Sequence, residues 1–478
     1  MAGVSEGTNT FFCLSPVEKG KARRFAVRRG ELSGRWDVVF NDPSLWRGIA
    51  TIYSKYPLRE IVADSFSGGT PLTSNPEYWN GEIPWVSPKD FGEFEISDAT
   101  DHLSEAGLQA ASLHIADPGS ILIVVRSGIL KHTLPVAINT RAVAVNQDVK
   151  VFTLLPTCRP RFLAWYLNVF QDRILPLITK HSTTVQSINT SEFNDLVIPL
   201  PPPQTQDKLV AAMDVARAAK RAKQAEADAL LAGLDGFLLA TLGLTPPPKD
   251  ERKVFAIRHA EVPARFDPHF HLPVLAQNTR MLADYGAEPL GSLVTFSDEI
   301  WKPEKHGKPT FRYIEISNVN PNTGEALTEE VAVIEAPSRA RMLVRTHDII
   351  VSLTRPHHGS IAQITPDLDC CIASTGFSVL RNINEARLSR EYLWCVLRTK
   401  MCLSQMLQRA SGGNYPAITE PELAKVLVPI PKMAVQEIIA TEARRRRDEA
   451  RRLRAEAETG WQAAKCWFEE QLIGGVQP

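Results

Sequence analysis

The chain has 478 residues, of which 44% are hydrophobic, with 54 Lys and Arg against 54 Asp and Glu. That length and composition suit roughly two to four ordinary globular domains, and no run of about 18 apolar residues is present to span a membrane. A formal net charge of zero argues against a simple basic nucleic-acid binder, although a local basic face remains compatible with it. The N-terminus lacks the charged-then-apolar order of a signal peptide. The seven cysteines (Cys13, Cys158, Cys370, Cys371, Cys395, Cys402, Cys466) show no metal-type spacing, so reduced thiols in a cytoplasm are expected. The vicinal pair Cys370-Cys371 reads as a buried strand end.

In chain order, Phe25-Ala26-Val27-Arg28 and Arg35-Trp36-Asp37 come first. Both return 230 residues later, as Phe255-Ala256-Ile257-Arg258 and Arg265-Phe266-Asp267. Ser120 to Val125 and Ala142 to Val145 are β-branched and apolar, which predicts strands. Arg161 to Leu167 predicts a helix. The first half then closes with Ile188 and with Leu196-Val197-Ile198-Pro199-Leu200-Pro201, followed by Gln206-Asp207. A long polar helix is predicted over 204–244. Leu209, Met213, Ala216, Ala227, Leu230, Leu234 and Phe237 fall on steps of three and four, interrupted at Lys220 and Lys223, as in a coiled-coil seam. Gly243 and Pro246 to Pro248 end it, and 245–253 reads as a linker.

The second half repeats this order. Asp348 to Leu353 and Gly376 to Leu380 predict strands, and Arg390 to Leu397 predicts a helix. Ile418, Val426-Leu427-Val428-Pro429-Ile430-Pro431 and Gln436-Glu437 stand 230 residues after their counterparts. A second long helix is predicted over 434–470, with a tail at 471–478. Its Arg444 to Arg447 run reads as a solvated face, with phosphate or partner contact as the sharper alternative. The period is far too long for a solenoid and implies a duplicated mixed α/β (α+β) fold. Globules over 1–203 and 254–433 would each feed a helix about 50 Å long. Neither seam is apolar enough to stand alone. An antiparallel pairing of the two helices is therefore expected, keeping the globules a fixed distance apart. A pseudo-two-fold object of this kind suits duplex DNA.

The run Ser67-Gly68-Gly69-Thr70-Pro71, then Glu77-Tyr78-Trp79-Asn80-Gly81-Glu82-Ile83-Pro84-Trp85-Val86-Ser87-Pro88-Lys89-Asp90, resembles the DNA-specificity subunit of type I restriction–modification systems. The two proline-rich endings with Gln206 and Gln436 add to that resemblance. It implies two target-recognition domains, each followed by a long helix, with the helices paired antiparallel. The second half departs from the pattern. It lacks the Gly-Gly-Thr-Pro run between Phe296 and Lys308, and Tyr313 to Ser317 stands where Ile83 to Ser87 would. Such divergence is expected if each half reads different bases.

Catalytic motifs are not apparent. There is no Asn/Asp-Pro-Pro-Tyr/Phe pocket with a Gly-rich cofactor loop, and no phosphate-binding G-x-x-x-x-G-K-[ST] loop. His269 with His271, and His357 with His358, lack the further ligands a metal would need. The chain therefore reads as a recognition subunit without catalytic, metal or cofactor residues of its own. Bases are read by polar side chains on loops between rigid strands. Candidates in the first half are Ser67, Gly68, Gly69, Thr70, Ser87, Lys89, Arg126, Lys131 and His132. In the second they are Lys302, Lys305, Lys308, Arg312, Ser317, Asn318, Arg355, His357, His358, Asn414 and Tyr415. Arg126 and Arg355 both follow a strand and read as the best pair. Tyr78, Trp79 and Trp85 read as core, and Ser411 to Pro416 with His181 to Gln186 as loops at the mouth of a groove.

The expected target is double-stranded DNA carrying two different short elements with an unread spacer. The expected partners are two methyltransferase subunits and restriction (translocase) subunits. The resemblance assigns S-adenosylmethionine, ATP and magnesium to those partners. Two other readings remain open: a DNA-modifying enzyme with a diverged site, and a protein adaptor whose coiled coil is its function.

Overall fold

The computed structural model describes residues 51–180, 185–248, 254–257 and 267–473. The repeated segment before residue 51, most of its echo at 255–267, and His181 to Thr184 lie outside the described residues. The chain divides into a first unit, 1–218 with 460–478, and a second unit, 219–459.

In the first unit the strands are β1 (Lys55–Pro57), β2 (Val62–Ser67), β3 (Trp79–Val86), β4 (Glu95–Ile96), β5 (Asp101–Leu103), β6 (Ile121–Val124), β7 (Val136–Asn139), β8 (Ala144–Val145), β9 (Val149–Leu154), β10 (Thr179–Lys180), β11 (Ser187–Ile188) and β12 (Val197–Pro199). The predicted strand at 120–125 is β6, and 142–145 contributes only its last two residues, as β8. A five-stranded sheet runs β2-β9-β6-β7-β4 and a three-stranded one β5-β3-β8. The predicted helix spans Pro160–Val169 and buries Phe162 to Leu167 on the larger sheet.

In the second unit the strands are β13 (Glu288–Pro289), β14 (Thr295–Phe296), β15 (Thr310–Ile314), β16 (Glu329–Ala332), β17 (Ala340–Leu343), β18 (Ile349–Ser352), β19 (Ile361–Gln363), β20 (Ile372–Ser374), β21 (Phe377–Arg381) and β22 (Leu427–Val428). Eight of them form sheets β14-β21-β18-β19 and β16-β15-β20-β17, and β13 pairs with β22. The pairing repeats the first unit's. Trp85 lies opposite Ala144 and Val86 opposite Val145 in parallel register, as Tyr313 lies opposite Ile372 and Ile314 opposite Ala373. Here the offset between units is 228, two fewer than at the chain's proline-rich endings. Trp85-Val86-Ser87 therefore corresponds to Tyr313-Ile314-Glu315. The sequence alignment of Ile83–Ser87 with Tyr313–Ser317 is displaced by two residues.

The reason the endings keep their 230 offset is a buried amide. Gln206 is fully buried. Its Oε1 accepts from the Arg159 backbone N at 2.7 Å, and its Nε2 donates to the Thr157 and Pro201 carbonyls, each at 2.8 Å. Gln436, also fully buried, accepts from the Ser389 backbone N at 2.8 Å and donates to the Arg387 and Pro431 carbonyls at 2.8 and 2.9 Å. All four positions repeat at 230. Each glutamine ties the start of its long helix to the loop before the packed helix. In doing so it satisfies backbone groups that burial would otherwise leave unpaired.

The long helices span Pro203–Leu242 and Met433–Ile473. Within the second unit they pair antiparallel: Lys220 meets Glu458 at 2.9 Å, Lys223 meets Glu456 at 2.6 Å and Asp228 meets Arg454 at 2.7 Å. Ala227 packs there with Ala450 and Leu453. Within the first unit, Leu209 and Met213 share a core with Phe468 and Leu472. Of the arginine run, Arg444 and Arg445 are exposed, as expected of a solvated face, while Arg446 and Arg447 are half-buried. Arg445 and Arg446 pair with Glu442, while Arg447 pairs with Glu391 and lies 4.2 Å over the Trp394 ring. Of the vicinal cysteines, Cys371 is buried as expected, but Cys370 is exposed, at a φ of 58°.

Candidate nucleic-acid interface

Strand direction gathers several loops at one end of each unit's sheets. In the first unit β2 and β6 end where β9 and β7 begin. β3 and β8, being parallel, end together, and the Asn146 N–H donates to the Val86 carbonyl at 2.9 Å. The β8–β9 turn, Asn146 to Asp148, therefore sits at the centre, with 68–71, 87–90 and 125–127 around it. Ser67, Gly68, Thr70, Ser87 and Arg126 all flank this turn.

The motif residues mostly build the scaffold. A Cβ on Gly68 would meet the Val145 carbonyl oxygen at 1.6 Å, so only glycine lets this loop close on β8. The Trp85 indole donates to the Gly69 carbonyl at 3.0 Å, the Trp79 indole donates to Leu72 O at 3.3 Å, and the two rings pack edge to face. Those bonds latch the loop and hold exposed Thr70, whose hydroxyl donates to Gln147 at 2.7 Å. Trp85 is core, as expected; Tyr78 and Trp79 are half-buried.

Ser87 is placed for structure: it is 7% exposed, and its hydroxyl and N–H both donate to Asp90. Burial works to raise Asp90, but hydrogen bonds from Thr100 and Ser87 outweigh it and hold this carboxyl below its ordinary range. Lys89 is exposed and bonded to Asp101 at 2.7 Å, which raises its pKa. Arg126 is exposed, but its Nε donates to Asp148 at 2.7 Å. Lys131 and His132 lie exposed in and just after the turn of 3-10 helix at Gly128–Lys131.

In the second unit the matching end carries the turn Thr375–Gly376, with 315–318, 353–359 and 411–416 around it. The Leu353 N–H donates to Gly376 O at 2.7 Å, as Val125 donates to Asp148 O at 2.8 Å. The Arg355 N–H donates to Pro416 O at 2.7 Å, as Ser127 donates to Gln186 O at 3.1 Å. Arg355 therefore corresponds to Ser127. Arg126 corresponds to Thr354, so the expected equivalence of the two arginines is out by one residue. Asp148, which pairs with Arg126, corresponds to Gly376.

Arg355, His357, His358, Asn414 and Tyr415 come together here. The Arg355 guanidinium lies 4.2 Å from the Tyr415 ring centroid and donates to Asn414 O at 3.3 Å. The His357 and His358 rings meet edge to face at 4.5 Å. Burial, then His358, Arg355 and His269, hold His357 below the usual imidazole range, so it is neutral near pH 7. Among the described residues no group of three or more His, Cys, Asp or Glu is arranged to hold a metal. Exposed Ser317 sits in the 315–318 turn at this end. Asn318 is structural: its side chain accepts from the Glu315 N–H at 2.8 Å and donates to Glu329 at 3.2 Å.

The other basic candidates are not gathered. Lys305 and Lys308 are exposed on the segment entering the N-terminal end of β15, away from 315–318, and Lys302 follows Trp301, whose N–H bonds to Arg341 O. Arg312 is engaged with the carbonyls of Asp367 and Asp369, on the loop before β20. Sequence reading missed Gln147 and Asp148, the partners of Thr70 and Arg126. The Asn146-Gln147-Asp148 cluster between two apolar runs was the available signal for that turn.

Residues 54–227 match the family model described as the type I restriction modification DNA specificity domain. The specificity subunit of the type I restriction enzyme EcoR124I/EcoR124II of Escherichia coli is 31% identical over 150 residues, 31% of this chain and 37% of the relative. That of MjaIX from Methanocaldococcus jannaschii is 27% identical over 184 residues, 37% of this chain and 40% of the relative. A solved S subunit from M. genitalium aligns at TM-score 0.41 and 13% identity over 90% of this chain and 98% of its own. A chain solved in work on assembly and conformational transition of the type I R-M system aligns at TM-score 0.49 and 18% identity, over 89% and 98%. Residues 54–227 thus match a type I restriction modification DNA specificity domain, and the chain, which spans about two fifths of the length of the curated relatives it matches, is similar to two type I specificity subunits.

Proposed function

We propose that this chain is the non-catalytic DNA-reading subunit of a type I restriction–modification complex. It reads a bipartite, asymmetric target in double-stranded DNA, with one target-recognition module at 1–203 and another at 254–433. The carrying observation is that the two units present the same loop arrangement around equivalent turns, with different side chains on it. One frame with two sets of reading groups suits two unlike half-sites. The paired long helices set the length of the unread spacer. Two methyltransferase subunits and restriction subunits dock on the chain, and those partners bind S-adenosylmethionine, ATP and magnesium. The complex works in the cytoplasm. No helix among the described residues is long and apolar enough to cross a membrane.

Methylation-sensitive sequencing of the host genome, with and without the gene, tests this reading. Loss of one bipartite methylated motif on deletion is the expected result, and an unchanged methylome would overturn it. The purified chain mixed with DNA, magnesium and S-adenosylmethionine should give neither cleavage nor methyl transfer; product formation would favour the diverged-enzyme reading.

A further inference from the structure

Resting on that reading, we propose that Arg355, stacked on Tyr415, is the guanine-reading side chain of the second module, and that the first module reads with different chemistry at the equivalent place.

Three observations carry this. Arg355 has φ 45° and ψ 54°, the left-handed region that a side chain other than glycine's enters at a cost. Its backbone N–H and its guanidinium are both tied to the 414–416 loop, through Pro416 O and Asn414 O. The ring of Tyr415, itself 70% exposed, supports the guanidinium at 4.2 Å. A guanidinium stacked on an aromatic face keeps its in-plane donors free, and that fork matches the O6 and N7 acceptors of guanine in the major groove. Only one of its five donors is committed here, and no salt bridge to Arg355 occurs among the described residues.

Among the described residues, the first unit lacks each part of this device at the equivalent place. Ser127 holds the position of Arg355, and its hydroxyl accepts from the Ile129 N–H at 3.4 Å. By the 230 offset Val185 stands where Tyr415 does. The neighbouring Arg126 is neutralised by Asp148, where the second unit has Gly376. Among the described residues, a fixed, carboxylate-free guanidinium stands at this place in the second module and not in the first.

The test uses the full chain assembled with its methyltransferase subunits and a randomised duplex library. The wild-type complex should select two elements, one containing an invariant guanine. Arg355→Gly suits the left-handed backbone and so should fold; it should lose about 10- to 100-fold of the discrimination at that one guanine, with the other positions kept. Placing 7-deazaguanine there removes N7, and should weaken the wild type about 10-fold while leaving Arg355→Gly unaffected. Tyr415→Phe should retain the preference, whereas Tyr415→Ala should relax it at the same position. A uniform loss across all sequences would make Arg355 a phosphate contact and overturn the proposal, as would unchanged selection by Arg355→Gly. A wild-type complex that selects no motif would instead bring down the DNA-reading function itself.

Discussion

Single side chains in this chain divide into those that build the frame and those free to read. Gln206 and Gln436 belong to the frame. Replacing either with leucine leaves two buried carbonyls and one N–H without partners. A loss of about 3 kcal/mol is expected, since each orphaned group costs about 1–3 kcal/mol with partial relief from relaxation. Chemical denaturation of the two variants should show the loss in the unit that holds the substituted residue. Arg126 is held differently: Asp148→Asn frees its guanidinium, and the preference at one half-site should change while the other is untouched, as read by library selection. The Glu442 carboxyl is held at about 2 by hydrogen bonds from Arg445 and then Arg446. Its lowered value adds stability above the ordinary carboxylate range near 4.5. That contribution fades as pH falls toward about 2, and solvent screening keeps it small. Acid titration of helicity should show a smaller low-pH loss for Glu442→Gln than for the wild type.

The elements tell which parts were readable beforehand. The first long helix was legible because a seam of three- and four-residue steps survives even with Ala and Lys in it, and the second because it repeats the first one's place after a proline-rich ending. The endings were legible because the buried glutamines leave no freedom in their spacing. The read end was only partly legible. Ser87, Asn318 and Arg312 look like good base readers in a one-dimensional list, yet each is spent on a backbone or carboxylate partner that only the fold supplies. Lys305 and Lys308 failed to join Arg355 because they enter β15 at its beginning while the loops cluster at its finish, and strand direction is invisible to composition. A second lesson lies in the terminal helix. Phe468 is fully buried, 6.1 Å from Phe162, and Trp461 lies 5.6 Å from Trp165. Phe468→Ala should therefore destabilise the first unit by about 3–5 kcal/mol, read from the melting of that unit, although it lies some 300 residues downstream.

For the molecule as a whole, the proposed spacer rule gives a length prediction. Adding four residues to each long helix lengthens it by about 6 Å at 1.5 Å per residue, which is about two base pairs at 3.4 Å. Methylome sequencing should then show the same two elements with more unread positions between them; an unaltered interval would exclude the helices as its ruler.

The two-residue drift between the strands and the proline-rich endings has an evolutionary consequence. The strands and turns that carry the loops keep a constant offset from Trp85 to Asp148, and the two extra residues of the second copy enter between them and the glutamine-pinned ending that follows. Length can therefore change beside the pinned ending without retuning the rest of the chain, and a host could change the words this protein knows while leaving its grammar alone.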